Sequence, residues 1–95
     1  MSNRDDTLRV LNEGHSFPGP YMFKVIGENT PEFVARVVQA ATVITGPQAV
    51  PDITVRESAG GKHQAVTLQI NVGSAEAVLD LYAAFRAVGG VRMVF

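Results

Sequence analysis

A chain of 95 residues with 46% hydrophobic content is a single small globular domain, neither disordered nor long enough for two cores. Its net charge of −1 supplies no global field to gather nucleic acid or an anionic membrane. Cysteine is absent, which excludes disulfides, thiolate metal sites and thiol nucleophiles and suits a reducing cytoplasm, the expected location.

The opening residues lack the apolar core of a signal peptide, and no apolar run approaches the ~20 residues of a membrane span. No membrane association is therefore expected. Residues 1–16 are polar apart from Leu8, Val10 and Leu11 and read as a flexible N-terminal tail. A single domain is expected over 17–95. Pro18 and Pro20 cannot donate to a strand ladder, so the first strand starts at or after Pro20 and is closed by Gly27. Tyr21, Phe23 and Val25 share one face of it; Met22, Lys24 and Ile26 share the other. Lys24 resists burial, so the Phe23 face is assigned to the core.

Asn29-Thr30-Pro31-Glu32 is a helix start. Thr30 suits the N-cap, Pro31 the first helical position, and Glu32 the positive end of the helix dipole. Phe33, Val34, Val37, Val38, Ala41 and Ile44 recur at helical spacing, and Gly46-Pro47 stops the helix. Pro51 to Glu57 reads as a second strand, with Ile53 and Val55 opposite in facing to Thr54 and Arg56. Ser58-Ala59-Gly60-Gly61 has hairpin length and composition. From Lys62 to Val72 the alternation is clearest: Val66, Leu68, Ile70 and Val72 face inward, and Ala65, Thr67, Gln69 and Asn71 face outward. Ser74 caps a second helix whose stripe is Val78, Leu81, Tyr82 and Phe85, Gly89-Gly90 ends it, and Val91 to Phe95 closes the chain as a fourth strand. The order β-α-β-β-α-β predicts an α+β, ferredoxin-like βαββαβ domain. Right-handed crossovers make its sheet antiparallel in the order 4-1-3-2, with two helices on one face.

Phe17-Pro-x-Pro, then Phe23-Lys24-Val25-Ile26-Gly27 and Pro31-Glu32-Phe33-Val34, resemble the start of the YbeD-like family of small bacterial proteins. The stretch Gly61 to Asn71 is similar to that family's central strand, and Val91-Arg92-Met93-Val94-Phe95 to its ending. The family is one of unknown function; the resemblance implies a ferredoxin-like fold close to the regulatory ACT domains and no activity. Within it, residues 29–37 are similar to the D-x-P-G-x-L turn of amino-acid-binding ACT domains. Glu32 replaces the glycine that lets a ligand approach there, and its carboxylate would fill the space and repel another carboxylate.

No catalytic constellation is found, so no enzyme is expected. His15 and His63 are the only histidines and have no carboxylate at ligand spacing, so neither metal nor cofactor is expected. Acylphosphatases share this topology but need an arginine in the loop after the first strand, where this chain has Gly27-Glu28-Asn29. The open sheet face is the candidate binding face: by strand parity it carries Lys24, Arg56, Thr67, Gln69 and Arg92, and none of the nine acidic residues. Candidate loop positions are Asn29 and Glu32 at the first turn, and Gly60, Gly61 and His63 at the hairpin. The helix side is assigned wholly to the core. These features predict a small regulatory or adaptor module that binds a protein partner, or itself, through the open face. One alternative is an ACT-like small-molecule sensor. Another is a weak RNA or polyanion binder, disfavoured because the stacking positions on the third strand hold Ala65, Thr67 and Gln69, not aromatics.

Overall fold

The structure is a computed structural model that describes residues 3–95. In chain order the elements are α1 (Asn3–Gly14), β1 (Gly19–Glu28), α2 (Pro31–Thr45), β2 (Asp52–Glu57), β3 (His63–Val72), α3 (Ala75–Arg86) and β4 (Val91–Val94). The four strands form one antiparallel sheet in the order β2-β3-β1-β4, which read from the β4 edge is 4-1-3-2.

The central pair is β1 with β3, in continuous register from Gly19 opposite Val72 to Glu28 opposite His63. Phe23 therefore meets Leu68, and Val25 meets Val66, on the face that the helices cover. Phe23, Val25, Phe33, Val37, Val66, Leu68, Val78, Leu81 and Phe85 are fully buried there. The Phe23 ring stands edge-on to Phe85 at 5.4 Å between centroids. Both principal helices begin as their caps dictate. The Thr30 hydroxyl accepts from the Phe33 N–H (3.1 Å), and the Ser74 hydroxyl from the Ala77 N–H (3.2 Å). Gly27 is required by close approach. A Cβ there would run into the Phe33 ring and lie 2.5 Å from the Gly90 carbonyl oxygen.

The N-terminal segment departs from expectation. The first two residues of the anticipated tail lie outside the described residues, but residues 3–14 form α1, a third helix. Asp5 and Asp6 occupy its first turn, where the dipole favours acidic groups. Leu8 and Leu11, one turn apart, are half-buried, and Leu11 packs against the core cluster; Val10 points to solvent. An exposed Arg4–Asp80 contact (3.8 Å) joins α1 to α3. Three apolar residues are too few to announce a helix from sequence, and tertiary packing of Leu11 supplies the missing stabilisation.

Two measurements check this packing. Leu68→Ala should lower unfolding free energy by about 2–5 kcal/mol, read as a lowered denaturant midpoint. Deleting residues 1–14 uncovers the surface under Leu8 and Leu11, which should cost on the order of 1–2 kcal/mol. At roughly 4–8 °C of melting temperature per kcal/mol, calorimetry detects that loss; an unchanged melt would mean that α1 contributes nothing to the domain.

Candidate functional site

The face of the sheet away from α2 and α3 has two adjoining parts. In the first, Lys24, Thr67 and Thr54 lie in line across β1, β3 and β2. With Arg56 and Ala65 they line a depression of about 260 Å³. Gln69 is exposed on the same face, between Met22 and Asp52. The second depression, about 210 Å³, is lined by Ile26, Ser58, His63, Arg92 and Met93. It brings Arg92 of β4 together with His63 of the β2–β3 hairpin, two positions the sequence reading held apart. Among the described residues none of Lys24, Arg56 and Arg92 forms an ion pair.

Two details of this face correct the expectation from parity. Asp52 stands opposite Gln69 and so lies on the open face, which is not free of acidic groups. The reason is simply that β2 keeps its alternation down to its first residue. On β4, Met93 pairs with Ile26 while Val91 pairs with Gly27, so Arg92 is the extra residue of a bulge. Strict alternation would send Arg92 and Met93 to opposite faces; with the bulge, both are exposed and both line the second depression. Phe95 exchanges backbone hydrogen bonds with Lys24 (2.8 and 3.0 Å) and is thereby opposite it on the open face, half exposed. Met22, Ile26, Met93 and Phe95 thus add apolar surface among the cations.

The loop candidates meet at one end of the sheet. The Asn29 side-chain amide donates to the Gly61 carbonyl (2.9 Å), tying the β1–α2 turn to the hairpin. Gly60 and Gly61 take φ of +94° and +72°, which the tight hairpin requires and other residues resist. Glu32 is exposed on the first turn of α2. A residue the sequence reading passed over, Gln64, organises this corner. It is buried, and its Nε2 donates to the Glu28 carbonyl (3.0 Å) and the Thr30 carbonyl (2.8 Å). The signal was available: Gln64 precedes Val66, Leu68 and Ile70 on the inward parity of β3, and a glutamine there needs partners.

The profile of the family described as "Protein of unknown function (DUF493)" matches residues 12–95. The chain belongs to this family. It is similar to the UPF0250 protein YbeD of Escherichia coli O157:H7 (strain EC4115) and of Shigella boydii serotype 18, in each case 36% identical over 84 residues, 88% of this chain and 94% of the relative. Among solved structures it is similar to the ACT domain from GTP pyrophosphokinase of Chlorobium tepidum, with a TM-score of 0.58 and 18% identity over 80% of this chain and 94% of that one. At that identity the likeness shows the fold.

In this member of the DUF493 family a further cavity is on the helix side, which the sequence reading assigned wholly to the core. It measures about 470 Å³ and lies between α1 and α3, lined by Leu11, Tyr21, Leu79, Tyr82 and Arg86 among others. It exists because α1 exists, so a reading that made residues 1–16 a tail had no means to find it. At its floor the Tyr21 and Tyr82 hydroxyls approach to 3.5 Å. Burial, and secondarily this hydrogen bond, raises the Tyr82 hydroxyl well above the usual tyrosine pKa.

The clamp at the corner gives a direct test. Gln64→Ala removes the donor to two carbonyls of the β1–α2 turn and should cost about 1–3 kcal/mol. The same variant should speed hydrogen exchange in the turn and at the hairpin it holds. A variant with wild-type midpoint and wild-type exchange would show that the turn holds itself.

Proposed function

We propose that this protein is a small regulatory or adaptor module that acts by binding a protein partner through its open sheet face, without catalysis of its own. The observation that carries this reading is the composition of that face. Lys24 and Arg92, on neighbouring strands, form no ion pair within the described residues, and beside them lie Met22, Ile26, Met93 and Phe95. Like charges close together on a sheet are mildly unfavourable to folding. Exposed apolar side chains grouped around them are the usual anatomy of a contact surface, with complementary charge steering the encounter. The partner that fits is a protein segment carrying acidic side chains around an apolar centre.

A nucleic acid fits less well. Single-strand readers of this fold stack bases on aromatics of the central strands. Here β1 and β3 present Met22, Lys24, Ile26, Ala65, Thr67 and Gln69 outward, and the aromatic of the open face, Phe95, is at the edge. The ACT-like sensor reading draws support from the fold alone. At its turn the Thr30 hydroxyl and the carbonyls of Glu28 and Thr30 are already engaged, by Phe33 and Gln64.

The test is the double reversal Lys24→Glu with Arg92→Glu. Both side chains are exposed, so the variant should fold with an unchanged circular dichroism spectrum. Proteins captured from native lysate by the immobilised wild type should be lost about tenfold or more, the factor that ~1.4 kcal/mol carries. Capture should also weaken as salt screens the contact. Undiminished capture by the folded variant would move the binding surface off this face.

A further inference from the structure

β2 is the outermost strand on the β3 side, and its far edge meets no other strand among the described residues. The direction of its backbone groups follows from the hairpin. The Ser58 N–H donates to the His63 carbonyl (2.9 Å), continuing the register in which Glu57 faces Gln64. Along an antiparallel ladder, hydrogen-bonded pairs alternate with pairs that are not. Arg56, Thr54 and Asp52 therefore direct their N–H and C=O groups to β3, while Ile53, Val55 and Glu57 direct theirs to the free edge. The side chains are equally unfinished. Ile53 and Val55 stand opposite the buried Leu68 and Val66 on the helix-side face, yet are 39% and 43% exposed.

We propose that this edge pairs with β2 of a second copy of the chain, antiparallel, about a two-fold axis that passes through Thr54 perpendicular to the sheet. The strand is self-complementary about that residue. A two-fold perpendicular to the sheet keeps each face on its own side, so open-face residues meet open-face residues. Centred on Thr54, it sets Asp52 opposite Arg56 on the open face and Ile53 opposite Val55 on the helix side, each twice by symmetry. The Ile53 and Val55 backbone groups, already aimed outward, exchange hydrogen bonds across the axis. The Glu57 N–H meets the carbonyl of Pro51; the nitrogen of Pro51 has no proton to return, so the Glu57 carbonyl turns to water and the ladder ends there. Moving the axis to Val55 would set Val55 against itself but Ile53 against Glu57 and Asp52 against Ser58, leaving Ile53 without an apolar partner and losing the charged pairs. Opposite charges directly across a strand pair stabilise it, and like charges destabilise it. Edges that must stay alone carry charges that repel a copy of themselves; this one carries charges that match. In the pair, Asp52 of the second copy neutralises Arg56, leaving Lys24 and Arg92 as the cations of a sheet face that runs continuously across both copies. The pairing stands or falls independently of what that face binds.

Sedimentation equilibrium of the intact protein over a concentration series tests the pairing, and four variants test its register. Wild type should move from the 10.2 kDa monomer to twice that mass as concentration rises. Asp52→Arg alone and Arg56→Asp alone place like charges across the axis and should each remain monomeric; the double swap Asp52→Arg with Arg56→Asp should dimerise again. Thr54→Cys places its own copy across the axis in a pair that is not hydrogen-bonded, about 4.5 Å between Cα atoms, within the roughly 4.4–6.8 Å that a disulfide spans. The chain has no cysteine, so mild oxidation of that variant should give a single covalent dimer, and Thr67→Cys on β3 should not. A wild type monomeric at every concentration overturns the proposal. So does a dimer that both single reversals leave intact, or a dimerising protein whose Thr54→Cys variant does not cross-link. Should a reversal disturb folding, which circular dichroism reports, the cross-link at Thr54 still decides.

Discussion

The β1–β3 ladder is the constraint on which the rest of the structure depends. It is the one long uninterrupted register in the sheet, and side chains along it alternate without a break. A slip by one residue would turn Phe23, Val25, Leu68 and Ile70 to solvent and bring Lys24 and Thr67 inside. The cost of burying an unpaired Lys24 against the gain from burying those apolar groups makes the register decisive. The same alternation that builds the core therefore also builds the open face. Along β1 and β3, each residue there is displayed because its neighbour in sequence is turned to the core.

From that ladder the corner around Gln64 follows. Its side chain reaches past the end of β1 to hold the carbonyls of Glu28 and Thr30, and so sets where α2 begins. Phe33 then packs into the space that Gly27 leaves. Asn29 couples the same turn to the hairpin at Gly61. The arrangement makes this end of the molecule a braced corner, with the turn's polar groups satisfied internally. That is a different use of the turn from one in which the backbone is left open for a ligand, and it is why the weight of a functional reading falls on the sheet face.

The open face mixes cationic and apolar side chains, and the edges add to both. β1 and β3 give it Lys24, Thr67 and Gln69, while β4 adds Arg92, Met93 and Phe95 through its bulge. On the other side β2 is left with outward backbone groups and side chains that alternate Asp52, Ile53, Thr54, Val55, Arg56. The two edges are managed differently: β4 is short and bulged, whereas β2 is regular and flat in its register. A regular edge with matched charges is a surface that favours assembly.

Local chemistry determined much of this protein by itself. The Thr30 and Ser74 caps, the glycine stops and the period-2 alternation of β1 and β3 each act over a few residues, so they are legible without a structure; the start of β1 was not, since the strand pairs from Gly19, one residue before the limit expected at Pro20. They placed six elements, their order and the inward faces, including Phe23, Val37, Leu68, Ile70 and Phe85. The motifs around Pro31 and Gly61 pointed to the DUF493 relatives for the same reason, being short runs of fixed local geometry. What tertiary structure alone decided lies where distant segments meet. Helix α1 has a weak apolar stripe and is held by Leu11 against a surface made elsewhere in the chain. The bulge that keeps Arg92 on the open face is a property of how β4 docks on β1, not of β4. Periodicity reports how a segment faces its own neighbours; it carries no information on which other segment will lie against it, and that is fixed only when the core closes.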